Sequence, residues 1–322
     1  MRLRLVPTHT NLDFFKKSKI WLGISAVMTV IAFVSFMLQG LNYGIDFRGG
    51  TTIRAQSSTE VVVGSYRTAL DALALGDASI SEVFDPNFRA DQHVVMIRVG
   101  AQDGDEAASA DLIANVEAAL IAIAPDLEIV SVESVGPKVS GELIQSAIIA
   151  VVLAISAVLI YIWVRFEWQF ALGAVAALIH DVVLTIGIFS ELQIKFDLAI
   201  IAALLTIVGY SLNDTVVVYD RVRENLRKYK QMTLKDLLNL TINETLSRTM
   251  MTSFTTLLAL IALLALGGDV IRGFVFAMTW GVIVGTYSSI FVASALLLRL
   301  GVKRDWSKQA PDQGNQFANI DA

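Results

Sequence analysis

The chain has no cysteine, which excludes disulfides, thiolate metal sites and cysteine nucleophiles. It has only three histidines, His9, His93 and His180, too far apart in sequence for metal-ligand spacing. Charged residues make up 17% of its 322 positions, against 55% hydrophobic, and the mean hydropathy is +0.61. An ordinary soluble domain is more polar than this, so the composition points to an integral membrane protein with one modest polar domain. The net charge of -5 decides little, because the basic residues border apolar runs. That placement gives no support to nucleic-acid binding.

Six apolar runs are long enough to cross a bilayer: Ile20–Leu38, Leu143–Val164, Trp168–Ser190, Phe196–Tyr219, Thr249–Gly267 and Gly273–Leu298. The first follows Lys16, Lys17 and Lys19 but lacks a small-residue cleavage site, and it reads as a retained anchor. Lys and Arg gather before span one, between spans four and five, and after span six. The positive-inside rule then puts both termini in the cytoplasm. The expected organisation is a cytoplasmic N-terminus (1–19), a first transmembrane helix (20–39) and a periplasmic domain (40–141). A five-helix bundle (142–302) with a cytoplasmic loop (220–248) and a disordered tail (303–322) follow. Segment 233–246 of that loop has helical spacing and is expected along the membrane surface.

In the polar domain, Thr51–Gln56, Ser79–Asp85, His93–Val99 and Glu128–Val135 have strand character. Helical patterns occupy Thr59–Leu75 and Asp105–Ala124, the second with Asp103, Asp105 and Glu106 near its start, where the helix dipole favours acids. The order βαββαβ predicts a small ferredoxin-like α+β fold. The domain contains no catalytic constellation.

The ionisable residues inside the apolar runs carry the functional signal. Asp214 lies within the run LAIIAALLTIVGYSLNDTVVVY beside Asn213, and Arg248 opens the next run. A carboxylate in hydrocarbon costs roughly 2.5–3.5 kcal/mol, so such a group usually faces a partner or a water-filled path. An Asp214–Arg248 pair could act as a proton-gated switch; the bland alternative is a static ion pair that sets helix register. Thr252, Thr255 and Thr256 extend a polar stripe from Arg248 and favour the switch. His180 and Asp181 sit mid-span and are read either as a proton relay or as hydrogen-bonding groups to neighbouring helices. Sequence neighbours point about 100° apart on a helix, so only one of them is expected to face a given path.

Gly281 and Gly285 form a small-xxx-small pattern, read as close helix packing. Gly44, Asp46, Gly49 and Gly50 belong to a turn leading from span one into the first strand. A phosphate-binding loop would follow a strand and open a helix, and this segment does neither.

Three segments carry a resemblance: Gly44-Ile-Asp-Phe-Arg-Gly-Gly50, Val208-Gly-Tyr-Ser-Leu-Asn-Asp-Thr-Val-Val-Val-Tyr-Asp-Arg-Val-Arg-Glu-Asn225 and Leu246-Ser-Arg-Thr249. Together with the Gly281/Gly285 span they resemble the SecD/SecF family of bacterial protein-export membrane proteins, within the resistance–nodulation–division superfamily. The resemblance implies a six-span half-transporter in the bacterial inner membrane, paired with SecD beside the SecYEG channel. YajC and YidC are further implied partners. It also implies use of the proton motive force to draw exported, unfolded polypeptides outward, with protons as the coupling ion and no other cofactor. Asp214 and Arg248 match the residues implicated in proton conduction in that family. A proton-coupled small-molecule exporter of the same superfamily is the alternative. An enzyme is the weakest reading, since no nucleophile, metal cluster or phosphate loop accompanies the buried acids.

Overall fold

The computed structural model describes residues 10–73, 75, 78–89, 91–100 and 110–302. The expectations for His9, for Asp103, Asp105 and Glu106, and for the tail from 303 lie outside these residues. Helix α1 (Ser18–Gln39) leads through the short strand β1 (Asn42–Tyr43) and the single turn α2 (Ile45–Arg48) into the soluble domain. That domain comprises β2 (Gly50–Ser57), α3 (Val63–Asp71), β3 (Ala78–Val83), β4 (His93–Gly100), α4 (Ala110–Ile121) and β5 (Glu128–Val135). Its sheet is antiparallel with order β3-β4-β2-β5. This is the split βαβ arrangement expected from the sequence.

Alternation decides the two faces of the sheet. Ile53, Ala55, Val95, Ile97 and Val99 point to one side and form a core with Tyr66, Leu70, Val116 and Leu120 of the two helices. The intervening Arg54, Met96 and Arg98 therefore project from the helix-free face. Helix α3 is shorter than the expected Thr59–Leu75. The Ser58 amide and hydroxyl both donate to the Asp126 carboxyl, and the Ser57 hydroxyl donates to the Thr59 carbonyl. These bonds hold the segment before Val63 in a turn and compete with helix formation. The Ser58 hydrogen bonds also hold the Asp126 carboxyl below the usual carboxylate range.

The bundle continues with α5 (Pro137–Arg165), α6 (Trp168–Glu191), β6 (Lys195–Phe196), α7 (Leu198–Lys228) and α8 (Leu234–Leu266). Helices α9 (Asp269–Ser288) and α10 (Ser294–Leu300) are joined by a π-helical turn, Ser289–Ala293, and form one span. Among the described residues, six helical stretches, including that compound one, are long and apolar enough to cross a membrane. Pro137, at the first turn of α5, is preorganised for a helix start, and the Thr233 hydroxyl caps α8 by accepting from the Asp236 amide at 3.1 Å.

The expected loop at 220–248 is instead two helix ends and a short turn. Val218, Val222 and Leu226 continue the buried stripe of α7 past the polar residues and pack with Leu237, Leu238 and Ile242 of α8. Segment 233–246, expected along the membrane surface, is continuous with span five for the same reason. Polar groups clamp this hairpin. Asn225 donates to the Thr241 hydroxyl and to Glu244, and Arg221 bridges Glu224 and Glu244. The chain before α1 is latched to α8 by reciprocal bonds: the Leu12 amide donates to Asn243 Oδ1, and Asn243 Nδ2 donates back to the Leu12 carbonyl.

Candidate functional site

The turn between span one and the sheet shows how the site helix is placed. Strand β1 pairs in parallel with β6, and the Gly44 amide donates to the Phe196 carbonyl at 2.8 Å. A Cβ on Gly44 would stand 2.8 Å from Lys195 Cε and 3.2 Å from Asp197 Cβ, so a larger residue there would have to displace those side chains. The Leu198 amide, first in α7, donates to the Asp46 carboxyl at 3.0 Å. An acid at a helix N-terminus both satisfies a free amide and complements the dipole. The sequence reading of Asp46 as a turn residue missed this cap, because the capped helix starts more than 150 residues away. We expect Asp46→Ala to cost about 1 kcal/mol, the usual worth of a cap. Amide hydrogen exchange should rise in the first turn of α7 and stay unchanged at its far end. Uniform protection along α7 would refute the capping role.

Gly50 has φ near +129°, and a Cβ there would lie 2.4 Å from the Val99 carbonyl oxygen. Gly49 (φ 73°) ends α2, its amide donating to the Ile45 carbonyl. At the junction of sheet and bundle, Gly49 and Gly50 thus act through the backbone and Asp46 through its carboxyl group.

Inside the bundle, Asp181 is the centre of a hydrogen-bond network. It is 1% exposed. Its Oδ2 accepts from the Ser211 hydroxyl of α7 at 2.6 Å and from the Ser288 hydroxyl of α9 at 2.8 Å. Its Oδ1 shares a hydrogen bond of 3.0 Å with His180 Nδ1. Three helices therefore meet on one carboxyl group. The two neighbours, about 100° apart around α6, are thus hydrogen-bonded to each other. The His180 ring also stacks on Tyr287, whose hydroxyl donates to the Trp21 carbonyl at 2.9 Å and tethers α1. His180 Nε2 is buried without a partner among the described residues.

The glycine pair explains how α7 and α9 come close enough for this. A Cβ on Gly281 would meet Ile207 at 2.3 Å, and one on Gly285 would meet Ser211 at 3.0 Å. With hydrogen at both positions, the helices approach until Ser211 and Ser288 share Asp181. Close packing is the role expected for the pair.

Asp214, one turn beyond Ser211, is 3% exposed, and its Oδ2 is buried without a hydrogen-bond partner. Arg248 lies equally far from the α7–α8 turn, so the two are level, as the sequence requires of a helical hairpin. Among the described residues they do not form an ion pair: Asp214 turns into the bundle, whereas Arg248 is exposed. The static ion pair is therefore absent from this conformation. Arg248 lies at a cleft of about 470 Å³ with Glu244, Arg221 and Asp220.

The polar stripe on α8 also differs from the sequence reading. Thr241, Thr245, Thr249 and Ser253 recur at four-residue spacing and are the buried ones. Ser253 is hydrogen-bonded to Thr286 of α9 at 2.6 Å, and the Thr249 hydroxyl is buried without a partner. Thr255 is exposed, and Thr252 and Thr256 are half-buried. Their hydroxyls donate to carbonyls of their own helix, such as Thr256 to Thr252 at 2.9 Å. Asn213 is exposed too. Asn213, Arg248 and Thr255 thus belong to an outward polar surface, and Asp214 and Asp181 to the interior. The spacing of the buried hydroxyls was readable beforehand, but nothing in the sequence says which stripe faces inward.

The turn residues and the bundle core correspond to two recognised sequence units. The model described as SecD/SecF GG Motif matches residues 34–61, and that described as Protein export membrane protein SecD/SecF, C-terminal, matches residues 115–303. The chain belongs to the SecD/SecF family. It is 59% identical over 321 residues to the protein translocase subunit SecF of Cereibacter sphaeroides, covering 100% of this chain and 99% of that relative. It is 41% identical over 307 residues to the SecDF protein of Brucella abortus, covering 94% of this chain but 39% of that one. The crystal structure of SecDF from Thermus thermophilus matches with a TM-score of 0.80 and 34% identity, covering 93% of this chain and 40% of that one. The chain thus spans about two fifths of these SecDF proteins. SecD/SecF membership accords with the multi-pass helical bundle and its single α+β domain.

Proposed function

We propose that this chain is an accessory subunit of the Sec protein translocase that works with SecD to couple the proton motive force to late translocation. The observation that carries the proposal is Asp214, whose Oδ2 is buried without a hydrogen-bond partner among the described residues, level with an arginine with which it forms no ion pair. An ionised carboxylate there is drawn toward Arg248, and protonation removes that attraction. A proton entering from one side and leaving to the other would drive the two helices between arrangements. Each charge moved across 100 mV supplies roughly 2.3 kcal/mol, enough to bias such a change. Protons are the coupling ion in this scheme, and no catalysis is assigned to the chain.

The outward polar surface of Asn213, Arg248 and Thr255 supports pairing with a second membrane half. Such a face is costly against lipid and cheap against a partner. The SecDF relatives are long enough to contain that second half in the same chain. The Lys/Arg distribution supports a bacterial inner-membrane location with cytoplasmic termini and a periplasmic sheet domain. SecYEG is the proposed channel partner, with YajC and YidC as further associates. The test is precursor export in inverted membranes carrying Asp214→Asn. The gradient-dependent increment should vanish while ATP-dependent initiation persists. An unaltered response to the gradient would remove Asp214 from the proton path.

A further inference from the structure

A cleft of about 700 Å³ separates the helix-free face of the sheet from the adjoining ends of α7, α8 and α9. Its roof is charged. Arg54 and Arg98 come from neighbouring antiparallel strands, where Thr52 stands opposite Arg98 and Arg54 opposite Met96, so the two guanidinium groups are diagonal neighbours. Across the cleft lie Lys195, Asp197, Asp269 and Arg272.

The acids are engaged in pairs, although Asp197 does so through Oδ2 only and its buried Oδ1 has no partner among the described residues. Asp269 pairs with Arg272 at 2.7 Å and accepts from the Phe84 amide, Asp197 pairs with Lys195 at 3.4 Å, and Glu82 faces His93 at 3.7 Å. Arg54 reaches Glu133 at 3.6 Å. Arg98 is left over. Among the described residues it has no carboxylate within ion-pair distance, and its side chain donates only to the Met96 sulfur at 3.8 Å. The Nε atoms of both Arg54 and Arg98 are buried without an acceptor among the described residues. Burial pulls Arg98 below the ordinary arginine pKa; Asp197 opposes this and like-charged Arg54 adds to it. A half-buried fork of donors with nothing to bind is an anion site by chemistry, and a phosphate matches the fork geometry.

The floor says which anion. Leu264, Phe274 and Phe276 line it, and Val270 at its edge is exposed on the outside of the bundle. From Asp269 to Phe276 the apolar wall descends about 10 Å along the helix axis at 1.5 Å per residue. Charge above an apolar wall that opens to the bundle surface suits an amphiphile lying in the leaflet on the sheet-domain side. We propose that this cleft holds an anionic phospholipid, its phosphate on Arg98 and Arg54 and its acyl chains along α8 and α9. The bound lipid would join the sheet domain to the bundle at the junction also spanned by the Phe84–Asp269 bonds.

Native mass spectrometry of the full chain tests this, with phosphatidylglycerol, phosphatidylcholine of the same acyl chains, inorganic phosphate and a glutamate-rich peptide as probes. Phosphatidylglycerol should be retained about tenfold better than phosphatidylcholine, which offers the same phosphate but brings a quaternary ammonium up against Arg54, Arg98 and Lys195. Arg98→Gln should remove that preference, whereas Arg227→Gln, at the far end of α7, should keep it. Arg54→Gln, on the neighbouring strand, serves as a second variant should Arg98→Gln not fold. Equal retention of the two lipids, an unchanged preference in the folded roof variant, or full competition by inorganic phosphate or by the peptide would each overturn the assignment.

Discussion

Asp181→Leu is expected to destabilise the membrane bundle by about 2–5 kcal/mol, since each hydroxyl left without its acceptor in the interior costs about 1–3 kcal/mol. The reason is that one carboxyl group terminates bonds from Ser211 on α7 and Ser288 on α9 and also engages His180. Ser288 keeps a fallback, the Gly285 carbonyl at 3.1 Å, but no second acceptor is seen for the Ser211 hydroxyl. Asp181→Asn preserves shape and one good acceptor, so it should lose much less. Denaturation of the purified protein in detergent would measure both. Equal stability of Asp181→Leu and the native chain would show that the network is incidental. The pair of variants also separates architecture from proton relay. If Asp181→Asn keeps its stability but loses gradient-dependent export, the residue conducts; if both persist, it only holds three helices together.

Gly281→Ala is expected to force α7 and α9 apart, at a cost of about 1–3 kcal/mol or more, the usual range for overpacking. The added Cβ would stand 2.3 Å from Ile207 Cγ1 and 2.4 Å from its Cδ1, distances no rotamer change at the glycine can relieve. Helix association in lipid depends on such close approach, because lipid tails solvate apolar side chains as well as protein does. Ile207→Ala alone should also destabilise, since Ile207 is 1% exposed and its truncation opens a cavity. The double variant should be more stable than the sum of the two, because the new methyl enters the space the isoleucine left. A double-mutant cycle by denaturation measures the coupling. Strict additivity would show that the helices separate by another route.

Several conclusions were legible before any coordinates. The apolar runs marked all six membrane-crossing stretches, and alternation with turn signals marked all four strands of the sheet. Asp214 and Arg248 stood out as expensive residues at one level of a hairpin. Helix azimuth was not legible in the same way. Thr252, Thr255 and Thr256 looked like a lining because they lie near Arg248, yet Thr241, Thr245, Thr249 and Ser253 are the buried set. Arg248 looked like the partner of Asp214, yet the two side chains do not meet. Asp46 read as a turn residue, and its part in starting α7 depends on Gly44 meeting Phe196 from far along the chain.

By itself, then, the sequence determined which segments enter the membrane, which form the sheet, and which ionisable residues lie at membrane depth. Those properties follow from transfer energies and local backbone preferences, which act residue by residue. The tertiary structure alone decided which face of each helix turns inward. It brought Asp181 to three helices, left Asp214 unbonded, and placed Arg98 over an apolar cleft. Rotation of a helix about its axis changes none of its internal hydrogen bonds, so only packing against neighbours, such as Gly281 against Ile207, can select one orientation.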